Sequence, residues 1–97
     1  MIKSFKNKAT EDIFNGEATK PALKVCPKNL WKIAFRKLDQ LDSVGSLNEL
    51  RIPPGNKLEA LVGDRKGLHS IRINNQYRIC FQWSETGPLN VEIVDYH

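Results

Sequence analysis

The apolar residues of this chain change their spacing once, near Lys57, and that change bounds the fold. Before it, Leu30, Ile33, Ala34, Leu38 and Leu41 recur at helical intervals, with Lys37 the polar exception on their face. After it the period is two. Ile71 and Ile73 alternate with Ser70 and Arg72. Tyr77, Ile79, Phe81 and Trp83 alternate with Arg78, Cys80 and Gln82, and Val91 and Ile93 flank Glu92. Helices followed by a strand meander define an α+β architecture, with helices packed on one face of a mainly antiparallel sheet. Alternation also sorts the side chains. It puts Arg72 and Arg78 on the face away from the apolar set, so helices covering that set leave both arginines on the open face.

Local signals punctuate this plan. Ile2-Lys3-Ser4-Phe5 reads as a short first strand, and Thr10 before Glu11-Asp12 as the N-cap of a helix that ends near Asn15-Gly16. Pro27 opens the main helix, which Asp42-Ser43 and Gly45 close. Lys28, Lys32 and Arg36, four apart, form one basic stripe on it. Arg51 to Asn56, with Pro53-Pro54-Gly55, is a loop. Leu58–Val62 and Leu68–Ile73 are strand candidates on either side of a Gly63–Gly67 turn. Asn74-Asn75 suits a tight hairpin, and Ser84 to Pro88 a second turn. No internal repeat or linker divides the chain, and residues 1–97 read as a single domain.

Composition narrows the class. No run of about 18 apolar residues exists, and the opening Met1-Ile2-Lys3-Ser4-Phe5-Lys6 lacks an apolar signal core. A cytoplasmic protein without membrane contact is expected. Cys26 and Cys80 make no disulfide framework; Cys80, inside an apolar run, reads as a small core hydrophobe. Two cysteines and two histidines without close pairing predict no metal site, and no cofactor motif is present. The net charge of +4 is uneven: residues 1–37 hold nine Lys/Arg against three Asp/Glu, whereas residues 63–97 are balanced. Such a basic N-terminal third suits an anionic partner, nucleic acid or an acidic protein.

No nucleophile elbow and no phosphate-binding glycine loop is present. The chemistry-bearing residues are Arg65, Lys66, Arg72, Arg78, Asp95, Tyr96 and His97. These are parts for phosphodiester work on RNA, whose own 2′-OH attacks the adjacent phosphorus. The protein must then take the 2′-OH proton, stabilise the phosphorane and protonate the 5′-oxygen. Guanidinium groups match phosphate oxygens with paired donors. His97 carries the terminal carboxylate and lies two residues from Asp95, and both charges favour imidazolium; a raised His pKa is expected, as suits a general acid. Tyr96 stacks on a base or packs at the sheet edge. His69 shares parity with Ile71 and Ile73 and reads as packed, Trp31 and Trp83 as core, and Glu59 as a surface carboxylate.

An ordered set of segments resembles HigB toxins of the RelE/ParE superfamily of type II toxin–antitoxin systems. They are Ile2–Phe5, Gly63-Asp64-Arg65-Lys66-Gly67, Ser70–Phe81 and the ending Val91–His97. Arg51 to Glu59 most resembles the GraT-like branch. The resemblance implies a RelE-like, microbial-ribonuclease-like fold and metal-independent mRNA cleavage in the ribosomal A site. It also implies neutralisation by a HigA-type helix-turn-helix antitoxin, with operator DNA reached only through the antitoxin complex. Asp95, Tyr96 and His97 match positions tied to activity, and Arg78 matches the arginine that holds the scissile phosphate. Where relatives carry a His and a Lys before the Gly-Asp-Arg turn, this chain has Glu59 and Val62. The expected roles are therefore Glu59 as general base, Arg78 as phosphate anchor and His97 as general acid. Arg65, Lys66, Arg72 and the Lys28, Lys32, Arg36 stripe would bind mRNA and ribosomal RNA. Two other readings share the fold: a ParE-like gyrase poison, and a non-catalytic co-repressor acting with its antitoxin. The Asp95-Tyr96-His97 ending favours the nuclease.

Overall fold

A computed structural model describes residues 1–95. Among them, helices α1 (Lys8–Phe14), α2 (Lys20–Val25) and α3 (Trp31–Ser43) precede four strands. The strands β1 (Glu59–Ala60), β2 (His69–Arg72), β3 (Tyr77–Ser84) and β4 (Gly87–Asp95) pair antiparallel in sequential order. Ile71, Ile79 and Ile93 lie in register across three strands. With Ile73, Phe81 and Val91 they form one apolar face, which meets Ile13 of α1, Ala22 of α2, and Ala34, Leu38 and Leu41 of α3. Burying each of the larger side chains contributes about 1.5–3 kcal/mol. This is the expected α+β fold, with the helices on one face of an antiparallel sheet. Trp31 and Trp83 pack against the same cluster, as expected. No helix among the described residues is long and apolar enough to cross a membrane.

Several boundaries differ from the sequence reading, each for a local reason. The N-cap of α1 is Asn7, whose Oδ1 accepts from the Thr10 N–H at 2.9 Å. Thr10 is instead buried, and its hydroxyl accepts from the Ile93 N–H of β4. The main helix begins at Trp31 rather than Pro27, because Lys28–Leu30 wind as a tighter 3-10 turn. Lys28 therefore lies off α3, although Lys28, Lys32 and Arg36 are all exposed. Helix α2, capped by Thr19, buries only Ala22 and so leaves no apolar period to read. The loop from Arg51 to Asn56 includes the end of one 3-10 turn (Leu47–Arg51) and a second (Pro54–Asn56). β1 shrinks to two residues.

The N-terminal segment runs along β4, with one parallel bridge at Phe5–Val91. It is held by backbone bonds from Lys3 to Pro88, Val91 to Ser4 and Lys6 to Val91. Opposite it, the β3–β4 register shifts between Cys80 and Gln82. β4 absorbs the extra residue with Asn90 in the left-handed conformation (φ 53°), its N–H donating to Ser4 Oγ. Both cysteines are free and buried. Burial pushes the Cys26 thiol up to about 11. Cys80 lies outside the main core cluster, on the face opposite it. His69 is packed as expected, its ring 6.2 Å from that of Phe81, and its buried Nδ1 meets no partner among the described residues.

Asp12 ties α1 to α2. Its carboxylate accepts from Lys8 Nζ at 2.8 Å and from the hydroxyl of Thr19 at 2.7 Å. The Lys8 hydrogen bond, followed by that of Thr19, holds the Asp12 pKa below its ordinary 3.8. A carboxyl depressed in the folded state stabilises the fold above its unfolded pKa, and that contribution is lost as pH falls through the folded value. Asp12→Asn is therefore expected to flatten the pH dependence of stability below about pH 4. Urea unfolding between pH 2 and 6 checks this, and parallel curves for the two proteins would contradict it.

Candidate active site

The open face of the sheet holds a cleft of about 210 Å³ lined by Lys57, Glu59, Arg72, Asn74, Asn75 and Arg78. Two-residue alternation builds it. Arg72 and Arg78 are direct cross-strand partners, and Glu59 pairs with Ser70 one strand further out, so these residues share the face opposite the core. Arg72 also donates to Asn75 Oδ1 in the β2–β3 connection. Asn74 shapes that connection by accepting from the Gln76 and Tyr77 N–H groups at 2.9 and 2.7 Å.

Arg78 is not a solvated strand residue. It is 8% exposed and forms the floor of the cleft. Its Nε donates to Ser70 Oγ at 2.8 Å, and its Nη2 to the Lys57 carbonyl at 2.5 Å and the Ser70 carbonyl at 3.4 Å. Its Nη1 lies 3.6 Å from Glu59 Oε1. The guanidinium is thus oriented by fixed acceptors on one side and faces a half-exposed carboxylate on the other. Among the described residues, three cations, Lys57, Arg72 and Arg78, line the cleft with one carboxylate, Glu59. That balance attracts an anion, and a buried, preoriented guanidinium suits a phosphate.

The remaining described candidates are not among the residues that line the cleft. Arg65 and Lys66 are exposed at the Gly63–Arg65 turn. Burial raises the Cys80 thiol pKa, and the Arg65 charge opposes that rise. Asp95 lies opposite Tyr77 at the end of β4 and accepts from Gln76 Nε2 at 3.1 Å; it is not among the cleft-lining residues. Tyr96 and His97 lie outside the described residues. Val62, at the position where the resemblance implies a lysine, is 84% exposed. Lys57, Asn74 and Asn75 line the cleft, although the sequence reading gave the two asparagines only a turn and named none of the three as a site residue. Ser70 was assigned only to a face, and its role appears once Arg78 is seen to fold back onto it.

Residues 3–97 match the family of RelE-like toxins of the HigB type II toxin–antitoxin system. The chain belongs to the HigB toxin family. Toxin HigB-1 of Vibrio cholerae is 40% identical over 90 residues, spanning 93% of this chain and 92% of the relative. Endoribonuclease HigB of Proteus vulgaris is 33% identical over 99 residues, covering both chains in full. In shape this HigB-family chain is similar to a chain of the YoeB–YefM complex from Staphylococcus aureus. That match has a TM-score of 0.54 at 19% identity and spans all of this chain and 95% of the other; it bears on the fold alone.

Proposed function

We propose that this HigB-family toxin is a metal-independent endoribonuclease that cleaves mRNA on the ribosome, and that a HigA-type antitoxin neutralises it. The observation that carries this reading is Arg78, buried, aimed by Ser70 and Lys57, and facing Glu59 across 3.6 Å. The relative from Proteus vulgaris bears the name endoribonuclease. A scissile phosphate entering the cleft competes with Glu59 for Arg78. Once its pairing loosens, Glu59 accepts the 2′-OH proton and the 2′-oxygen bonds to phosphorus. Arg78 and Arg72 balance the charge that builds on the phosphorane. The phosphorus–O5′ bond then breaks, and His97 delivers a proton to the departing oxygen. Asp95 and Tyr96 directly precede His97 in sequence; Asp95 favours its imidazolium and Tyr96 offers a stacking surface for a base.

This route leaves a 2′,3′-cyclic phosphate and a 5′-hydroxyl. The new 5′ ends are expected to accept phosphate from polynucleotide kinase without prior phosphatase treatment. Ends bearing a 5′-phosphate would instead mark attack by water and overturn the route.

Docking falls to the basic surface. Lys28, Lys32 and Arg36, with Arg65 and Lys66, displace counterions from ribosomal RNA. Changing Lys28, Lys32 and Arg36 together to glutamine is expected to weaken ribosome binding and reduce its log–log salt slope by about 2–3. Co-sedimentation across a salt series measures this, and an unchanged slope would remove the stripe from the docking surface.

A further inference from the structure

Lys37 and the Pro53-Pro54-Gly55-Asn56 turn have no part in the cleavage chemistry above, and the fold joins them. Asn56 is fully buried. Its Oδ1 accepts from Lys37 Nζ on the inner face of α3. Its Nδ2 donates to Gln40 Oε1 and to the Leu50 carbonyl, each at 3.0 Å, and its backbone N–H donates to the Pro53 carbonyl at 2.9 Å. The oxygen and both protons of the amide thus have partners. Lys37 is itself 8% exposed, and burial lowers its pKa. Among the described residues no carboxylate lies within ion-pair distance of it. The buried ammonium and the buried amide satisfy each other, so the contact ties the Asn56 turn firmly to α3.

Asn56 directly precedes Lys57, which holds the left-handed conformation (φ 48°) and presents its carbonyl to Arg78 Nη2. Glu59 follows two residues later, against Arg78 Nη1. We propose that Asn56 is a positioning residue: by anchoring the Leu50–Lys57 segment to Lys37 and Gln40 of α3, it fixes the Lys57 carbonyl and the Glu59 carboxylate relative to Arg78. The proposal rests on the cleft being the cleavage site. Without the anchor, Arg78 keeps Ser70 but loses a fixed acceptor at Lys57, and Glu59 leaves its position beside the 2′-OH.

A double-mutant cycle tests this. Asn56→Ala is expected to lower the single-turnover cleavage rate at saturating ribosomes about a hundredfold, the effect of a displacement of about 1 Å, with ribosome affinity unchanged. In a Glu59→Gln background the same change is expected to cost about tenfold less, because one of the two groups it positions is already disabled and only the part that runs through Arg78 remains. Equal factors in the two backgrounds would show a merely structural Asn56 and overturn the proposal. Lys37→Met, similar in shape and without the charge, is the second variant and is expected to give the same background dependence.

A readout without cleavage separates the two readings. The Arg78 side-chain N–H resonances are expected to be well resolved in the native protein and averaged in Asn56→Ala and Lys37→Met, while the β3 backbone amides stay unchanged. Arg78 signals unaltered in both variants would overturn the proposal even in a protein with no nuclease activity. Altered Arg78 signals with cleavage untouched by Glu59→Gln would locate the failure in the role given to Glu59, and would overturn the proposal through it.

Discussion

Arg78→Lys is expected to lower ribosome-dependent cleavage about 10²–10³-fold, the cost of losing an oriented donor to the transition state. The substitution keeps the charge and removes the fork. Arginine places Nε against Ser70 and Nη2 against the Lys57 carbonyl while Nη1 faces Glu59. Lysine offers three donors on one nitrogen and cannot span those positions together. Arg78→Ala is expected to lose more, since it also leaves the buried Ser70 hydroxyl without its partner. Single-turnover cleavage at saturating ribosomes is the measurement, with urea unfolding alongside to register any loss of fold. Near-native cleavage by Arg78→Lys would show that charge at this position suffices and that the guanidinium geometry is irrelevant.

The acid and the base form the second pair. Glu59→Gln and His97→Ala are each expected to lower cleavage about 10²–10⁴-fold, the usual contribution of a positioned proton-transfer group. The two variants should differ in their pH profiles. A general acid works protonated, so activity that depends on His97 falls as pH rises through the His97 pKa. Removing His97 should abolish the alkaline limb, whereas Glu59→Gln should remove the acid limb and leave the alkaline one. Full activity in Glu59→Gln with none in His97→Ala would take the base role from Glu59.

Much of the frame was legible because strand parity is strict. Ile71, Ile79 and Ile93 at period two placed the core, and the same alternation set Arg72 and Arg78 on the other face. Parity applied to Cys80 as well, and it puts the thiol on the arginine side rather than in the main cluster. The burial of Arg78 was not legible. Its partners are the Ser70 hydroxyl and the Ser70 and Lys57 carbonyls, and backbone carbonyls carry no residue signature. Asn56 escaped for a related reason: in a Pro-Pro-Gly-Asn stretch asparagine reads as an exposed turn residue, and only the packed fold shows its amide inserted beneath Lys37. Lys37 itself was visible only as the polar exception on an apolar face.

The central claim is cleavage of mRNA on the ribosome through Arg78 and His97. Mapping mRNA 5′ ends in a translating system, with the native protein, Arg78→Lys and His97→Ala, tests it most directly. The account predicts discrete cuts within translated codons, absent without ribosomes and lost in both variants. Intact mRNA in the presence of the folded native protein, or cuts that persist in both variants, would contradict it.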